Sequence, residues 1–114
     1  MRIIGKKKLE KYKRKNKGNK ILTLEIERFI DTIELNQFEN IEYLKLKRKD
    51  ADIVHLDGFL FFDLELHRTL VLIEFEFEFN EATIVWVGNH QDYEKVFKNN
   101  KNVIHKWLKS NDWI

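Results

Sequence analysis

Two side chains that can exchange protons stand three residues apart where a predicted strand meets a predicted helix. The segment 82–93 starts as an apolar strand pattern, breaks at Gly88 and then becomes polar. Asn89 is a favourable helix N-cap, with an acidic residue at the spacing of a capping box. His90 and Tyr93 then share one face of the first helical turn. Because free amides at a helix start attract phosphate, this pair indicates phosphodiester chemistry, although simple packing roles would also fit.

An arginine one strand earlier is predicted to face the same end of the sheet. Arg68 follows a tight turn, and its strand is predicted to pair with the strand that precedes His90. A guanidinium there can stabilise negative charge on a phosphate, or it can form an ion pair with Glu65 or Asp63. The neighbouring His67 is predicted to point to the opposite face, because successive side chains alternate along a strand.

Positive charge is concentrated in two parts of the chain. A basic cluster lies in the polar segment before the strands and consists of Lys45, Lys47, Arg48 and Lys49. The basic cluster can track an RNA backbone or stabilise a scissile phosphate, and a solvated loop is the alternative. Residues 1–20 carry ten lysines and arginines against Glu10 alone, whereas the rest of the chain is acidic. Such an end can bind nucleic acid, or its charge can balance the acidic remainder.

The composition disfavours several other chemistries. The chain has no cysteine, a single serine at Ser110, and four glycines that form no phosphate-binding loop. Its histidines, at positions 55, 67, 90 and 105, lack the spacing of metal ligands, so no metal or other cofactor is expected. No apolar run approaches the length of a membrane span, and no secretory signal is visible. These features predict a cytoplasmic protein without a membrane contact.

The amino-terminal part is predicted to be mainly helical. Residues 2–4 are expected to form a short edge strand, and residues 6–17 a helix that ends at Gly18 and Asn19. A second helix follows with an apolar face formed by Leu22, Ile26, Phe29, Ile30 and Ile33. So short a connection makes the two helices an antiparallel hairpin. Residues 39–52 are predicted to be a loop or a short helix.

The rest of the chain is predicted to form an antiparallel sheet followed by helices. Alternation of apolar and polar residues predicts strands at residues 59–66, 69–79 and 83–87. Asn80 and Glu81 are predicted to form a hairpin turn, and helices are expected at about residues 90–98 and 101–109. Phenylalanines 75, 77 and 79 are expected to lie in the core. Segregated helices and strands indicate one α+β domain over residues 1–114, with a sheet of three to four strands packed on the N-terminal helical hairpin.

Taken together, these residues resemble the HigB toxins, which belong to the RelE-like superfamily of type II toxin–antitoxin systems. The resemblance is carried by Met1-Arg-Ile-Ile, Asp50-Ala-Asp52, Asp57-Gly-Phe59, His67-Arg-Thr69 and Val85-Trp-Val-Gly-Asn-His-Gln-Asp-Tyr93. It covers roughly residues 1–97 and is most specific in the last of these motifs and in the arginine one strand earlier. Residues 101–114 are then a candidate C-terminal helical extension.

The resemblance implies a RelE-like fold and a ribosome-dependent mRNA interferase, an endoribonuclease that cuts codons in the A site and inhibits translation. No metal is needed, because the RNA 2′-hydroxyl attacks the adjacent phosphate. His90 and Tyr93 would supply acid–base catalysis and Arg68 would stabilise charge. The basic cluster and His67 would bind the mRNA. The implied partner is a HigA-type helix-turn-helix antitoxin.

A non-catalytic module of the same fold is the alternative. It would bind RNA or an antitoxin through the basic residues 6–20. Substitution of His90 and Tyr93 would separate the two hypotheses, because a binding module would keep its function without these two side chains.

Overall fold

The computed structural model describes residues 1–76 and 80–114. The elements in chain order are β1 (Arg2–Ile4), α1 (Lys6–Lys15), α2 (Lys20–Glu34), α3 (Ile41–Lys47), β2 (Asp52–His55), β3 (Phe59–Leu64), β4 (His67–Phe75), β5 (Asn80–Asn89), α4 (His90–Phe97) and α5 (Lys101–Ser110). The predicted α+β class is confirmed, and the polar segment 39–52 contains the short helix α3. Among the described residues, no helix is both long and apolar enough to cross a membrane.

Within the described residues, five strands form one mixed sheet in the order β1-β5-β4-β3-β2. Strands β2 to β5 pair with one another in antiparallel fashion, whereas the edge strand β1 runs parallel to β5, with Ile4 opposite Thr83. The sheet thus has five strands where three to four were predicted, and it is mixed instead of antiparallel. A strand of three residues shows no periodicity that could reveal its partner or its direction, so this part of the topology could not be predicted.

Helices α1, α2 and α3 cover one face of the sheet. The side chains of this N-terminal core include Leu9, Leu22, Ile26, Phe29, Ile30, Ile33, Leu44, Leu60, Phe62, Leu64, Val71, Ile73, Ala82 and Ile84. The predicted apolar face of α2 is confirmed, because all five of its residues are buried. Helix α2 packs on β3, where the rings of Phe29 and Phe62 meet edge to face at 5.1 Å. Asn19 caps α2 by accepting a hydrogen bond from the backbone of Leu22 at 3.0 Å.

Helices α4 and α5 cover the opposite face. The side chains of this C-terminal core include Val54, Phe59, Phe61, Leu70, Val85, Tyr93, Phe97, Ile104 and Leu108. Because side chains alternate along a strand, Phe61 enters the C-terminal core while Phe62 enters the N-terminal core. Burial on both faces explains the continuous apolar run at the start of β3.

The hairpin between β4 and β5 differs from its prediction. Asn80 and Glu81 were predicted to form the turn, but both lie within β5, with Asn80 opposite Phe75. Strict alternation marks a strand without marking its end, so the sequence could not locate this turn. Phe75 is partly buried against the N-terminal core. The predictions for Phe77 and Phe79 lie outside the described residues.

Candidate active site

Strand β5 passes directly into helix α4 at a capped junction. Asn89 ends β5, and its Oδ1 accepts a hydrogen bond from the backbone of Asp92 at 2.8 Å, as the capping spacing predicted. The backbone N–H of His90 donates to the carbonyl of Leu66 at 3.1 Å. Because Leu66 lies between β3 and β4, this bond ties the first residue of α4 to the turn that precedes Arg68.

Gly88 lies within β5 and does not break it, contrary to the sequence-based expectation. It is buried and pairs with Arg68 across the hairpin. A Cβ at this position would lie 2.6 Å from ring carbons of Trp86, much closer than normal contact. The Trp86 indole in turn meets the Phe97 ring nearly at a right angle at 5.0 Å. Glycine is therefore required for close packing at this position and not for a turn.

Tyr93 is almost completely buried, with 2% of its surface exposed. Its ring packs against Phe61 at 5.1 Å and Phe97 at 5.8 Å. Its hydroxyl donates a hydrogen bond to Asn99 Oδ1 at 3.0 Å. Asn99 follows α4 and has a φ of 47°, a left-handed conformation that asparagine tolerates better than most residues. The position of the phenol is thus fixed by two rings and by one amide.

Arg68 lies between two aromatic rings and a carboxylate. Its guanidinium carbon is 4.7 Å from the centre of the Tyr93 ring and 5.0 Å from that of Phe61. Its Nε donates to Asp63 Oδ1 at 3.0 Å, and its Nη2 lies 3.9 Å from Asp52 Oδ2. The ion pair with Asp63, one of the two alternatives raised by the sequence, is therefore formed. The same guanidinium also borders the cavity described next.

Arg68, His90 and Tyr93 border one open cavity of about 390 Å³, the site cavity. The site cavity is lined by Asp63, Glu65, Leu66, His67, Arg68, His90, Tyr93, Glu94 and Asn99. The imidazole of His90 lies beside the Tyr93 ring, with 6.1 Å between ring centres and 28° between ring planes. Its side chain is 67% exposed, and its Nε2 lies 3.6 Å from Glu94 Oε1. An exposed imidazole, a buried phenol and a guanidinium thus face one space.

The phenol of Tyr93 is protonated at neutral pH. Burial is the largest influence and raises the pKa of Tyr93 above its ordinary value, while Arg68 opposes this rise. The carboxylates of Asp52 and Glu94 raise the pKa further. A protonated phenol can donate a hydrogen bond, and it can give its proton to a much stronger base such as an alkoxide.

His67 lies next to the site but contacts the other side of the sheet. Its Nδ1 is 2.7 Å from the hydroxyl of Tyr12 in α1, which packs on the N-terminal core. This contact agrees with the predicted alternation between His67 and Arg68. His67 also borders the site cavity at the start of β4.

The basic cluster divides into one anchored and three exposed cations. Arg48 donates through Nε and Nη2 to the carboxylate of Asp50, at 2.9 and 2.7 Å, and through Nη2 to the carbonyl of Asp63 at 2.7 Å. Its guanidinium lies 5.5 Å from the Phe29 ring, above the N-terminal core. Arg48 therefore holds the segment after α3 to β3. The other three cations, Lys45, Lys47 and Lys49, are exposed to solvent.

Asp63 links the basic cluster to Arg68. Its backbone N–H donates to Asp50 Oδ2 at 2.7 Å, its carbonyl accepts from Arg48, and its carboxylate accepts from Arg68. The sequence pointed to Asp63 only as one alternative partner of Arg68. The sequence gave no reason to select Asn99, although an asparagine that follows the C-cap residue of a helix, here Lys98, is a signal for a left-handed residue.

No group of three potential metal ligands occurs within the described ranges 1–76 and 80–114. Two other histidines, His55 in β2 and His105 in α5, stack on each other with 5.3 Å between ring centres, and neither lines the site cavity.

Comparison with known protein families identifies a match. The family model HigB_toxin, described as a RelE-like toxic component of a toxin-antitoxin system, matches residues 23–96. This span begins within α2, ends within α4 and contains Arg68, His90 and Tyr93. A search of curated proteins gives no match.

Proposed function

The chain belongs to the HigB_toxin family of RelE-like toxic components of toxin-antitoxin systems, and on this premise we propose that it is a ribosome-dependent mRNA interferase. The observation that carries the proposal is the grouping of Arg68, His90 and Tyr93 around the site cavity. These three groups supply a charge-stabilising cation and two proton-transfer groups, which cleavage of RNA through its own 2′-hydroxyl requires.

The proposed reaction assigns one role to each of the three side chains. His90 accepts the proton of the RNA 2′-hydroxyl as that oxygen attacks the adjacent phosphorus, because a neutral imidazole has a nitrogen that can accept a proton. The bond between phosphorus and the 5′ oxygen breaks, and the Tyr93 hydroxyl turns from Asn99 and gives its proton to the departing oxygen. Arg68 stabilises the added negative charge on the phosphate. The products are a 2′,3′-cyclic phosphate and a 5′-hydroxyl.

The ion pair of Arg68 with Asp63 fits this role. Without RNA, the carboxylate at 3.0 Å holds the guanidinium near the Tyr93 ring. A phosphate can replace Asp63 as the acceptor and can bind the guanidinium through two oxygens, because carboxylate and phosphate present similar geometry to arginine. Arg68 is therefore positioned before the substrate arrives, which lowers the cost of organising the site.

The partners follow from the same proposal. A toxin of this family has an antitoxin, and we assign it to the HigA type with a helix-turn-helix fold. The substrate is mRNA in the ribosomal A site, in the cytoplasm. The exposed side chains of Lys45, Lys47 and Lys49 can contact the RNA backbone. Arg48 holds the same segment in place through its ion pair with Asp50. His67 adds an imidazole at the rim of the site cavity.

A non-catalytic binding module is the second candidate, and one observation favours it. A groove of about 300 Å³ between α1 and β5 is lined on one side by Lys8, Lys11 and Lys15. Such a groove can bind an acidic partner or an RNA backbone without any catalysis.

Cleavage of a defined mRNA on programmed ribosomes, mapped by primer extension, tests the proposal. The variants are Arg68→Ala, His90→Ala and Tyr93→Phe, and Tyr43→Phe is the control because Tyr43 is an exposed residue of α3. We expect cuts by the wild type and the control and a loss of cuts in the three variants. Folded wild type that makes no cut would support the binding module instead, and variants that still cut would move the catalytic site elsewhere.

A further inference from the structure

A hydrogen bond between two aromatic side chains connects helix α1 to the first residue of β4. The hydroxyl of Tyr12 lies 2.7 Å from Nδ1 of His67. The two rings meet edge to face, with 5.5 Å between their centres and 73° between their planes. Tyr12 and His67 are 55 positions apart in the chain, so the contact fixes an imidazole of the sheet against a helix that is distant in the sequence.

The protonation states of Tyr12 and His67 indicate which of them donates this hydrogen bond. Burial raises the pKa of Tyr12 to about 12, with a further contribution from Asp92, so its hydroxyl keeps its proton. Burial lowers the pKa of His67, against opposing effects of Asp92 and Glu65, which favours the neutral ring. A phenol is a stronger donor than acceptor, and a neutral imidazole has one accepting nitrogen. The 2.7 Å contact therefore favours a hydroxyl that donates to Nδ1 and a ring proton on Nε2.

The His67 ring lies at the boundary between two neighbouring cavities. His67 borders the site cavity, and it also borders a neighbouring hollow of about 340 Å³ together with Leu66, Asn89, His90 and Gln91. In the sheet, His67 lies opposite Asn89, the residue that caps α4 and precedes His90. A hydrogen-bond donor at this position can reach a substrate that extends from one hollow into the other.

We propose that Tyr12 is a positioning residue that fixes His67 with its Nε2–H available to a phosphate oxygen of the RNA beside the scissile bond. This inference rests on the proposed function, since it names a binding contact of the same cavity. It gives His67 a role different from proton transfer, because a neutral N–H orients a phosphate while His90 and Tyr93 move the protons.

The tautomer of His67 is measured first, by two-bond proton–nitrogen correlation NMR of the folded, ¹⁵N-labelled protein without RNA. We expect the Nε2–H form in the wild type and in the control Tyr43→Phe, and a mixture of both tautomers in Tyr12→Phe. A wild-type ring protonated at Nδ1, or a tautomer that Tyr12→Phe leaves unchanged, would overturn the positioning role whether or not the protein cleaves RNA.

The cleavage assay then tests the contact with RNA through two amide substitutions. In His67→Gln the side-chain amide takes the place of Nε2, and in His67→Asn it takes the place of Nδ1. We expect His67→Gln to retain most of the rate, whereas His67→Asn and Tyr12→Phe each lose about tenfold. In the His67→Gln background, Tyr12→Phe should have no further effect, because its acceptor is gone.

The outcomes separate this inference from the proposed function. A wild-type protein that does not cleave overturns both the proposed function and the RNA contact of His67. A wild-type protein that cleaves, together with full activity of a folded Tyr12→Phe variant, overturns the positioning role alone. Equal losses of cleavage rate in His67→Gln and His67→Asn would contradict the assignment of Nε2 as the atom that contacts the RNA.

Discussion

The guanidinium carbon of Arg68 lies 4.7 Å from the centre of the Tyr93 ring. The two residues come from different elements, β4 and α4, and a cation over an aromatic ring is attracted to its negative face. Phe61 contributes a second ring at 5.0 Å and Asp63 a carboxylate. Because only 18% of the Arg68 side chain is exposed, its orientation is set by packing as well as by charge.

Replacement of Arg68 by lysine should be nearly as harmful to cleavage as replacement by alanine. An ammonium keeps the charge but cannot stack between two rings or bind a phosphate through two parallel hydrogen bonds. We expect a loss of about 100-fold in the cleavage rate for both variants. The rate is measured on programmed ribosomes beside Arg28→Lys, an arginine of α2 paired with Glu25. Near-normal activity of Arg68→Lys would show that charge alone is sufficient.

Asn99 should act on cleavage through its amide and on stability through its backbone. Asn99→Gly and Asn99→Ala both remove the acceptor of the Tyr93 hydroxyl, so both should slow cleavage to the same extent. Only the alanine variant must force a β-carbon into the left-handed conformation, so it should be about 1 kcal/mol less stable than the glycine variant. Urea unfolding measures the second effect. Equal stability of the two variants would contradict the assigned backbone conformation.

Asp50 should stabilise the fold in a pH-dependent manner. Burial opposes its ionisation, but hydrogen bonds from Arg48 and from the backbone of Asp63 and Asp50 outweigh burial and lower its pKa in the folded state. Its contribution is therefore complete above the unfolded pKa of about 3.9 and is lost as the pH falls through the lower folded value. Asp50→Asn should cost about 2 kcal/mol at neutral pH.

Urea unfolding at neutral and at acidic pH tests whether the contribution of Asp50 to stability decreases in acid. The difference between wild type and Asp50→Asn should shrink as the solution becomes acidic. Asp31→Asn serves as the control, because Asp31 is exposed on α2. A difference that is constant or that grows in acid would contradict the role of the Asp50 carboxylate.

Gly88→Ala should destabilise the protein by crowding the indole of Trp86. The new methyl group would lie 2.6 Å from two ring carbons, so the indole has to leave its place against Phe97. We expect a loss of about 1–3 kcal/mol in the free energy of unfolding and a changed tryptophan fluorescence. Gly18→Ala is the matched control, since a Cβ there meets nothing within 4 Å. Equal stability of both variants would show that the indole adapts without cost.

The features that the sequence predicted correctly are those with a regular period or a local signal. The apolar face of α2 repeats with the helical period, and the cap at Asn89 depends on neighbours three residues away. The position of Arg68 at the same end of the sheet as His90 followed from one hairpin and one strand-to-helix junction. In the first two cases the relevant contacts are close in the chain, and in the third they lie within one hairpin and the junction that follows it.

The features that escaped prediction depend on distant parts of the chain or on packing. The pairing of Tyr12 with His67 joins residues 55 positions apart, and no pattern marks it. Gly88 was interpreted as the end of a strand because the sequence does not show that the Trp86 indole packs against this position. Arg48 was grouped with its lysine neighbours because the sequence shows only its charge. Its planar guanidinium instead forms an ion pair with Asp50 and contacts an aromatic ring.

The pairing of β1 with β5 has a consequence for the order of events during synthesis. Strand β1 cannot join the sheet until residues 81–83 have also emerged from the ribosome, because these are its partners. Helix α4, with His90 and Tyr93, follows later still, so the nascent chain carries no assembled site until α4 has emerged. A protein proposed to act on ribosomes thus has no assembled site until its own synthesis has passed α4.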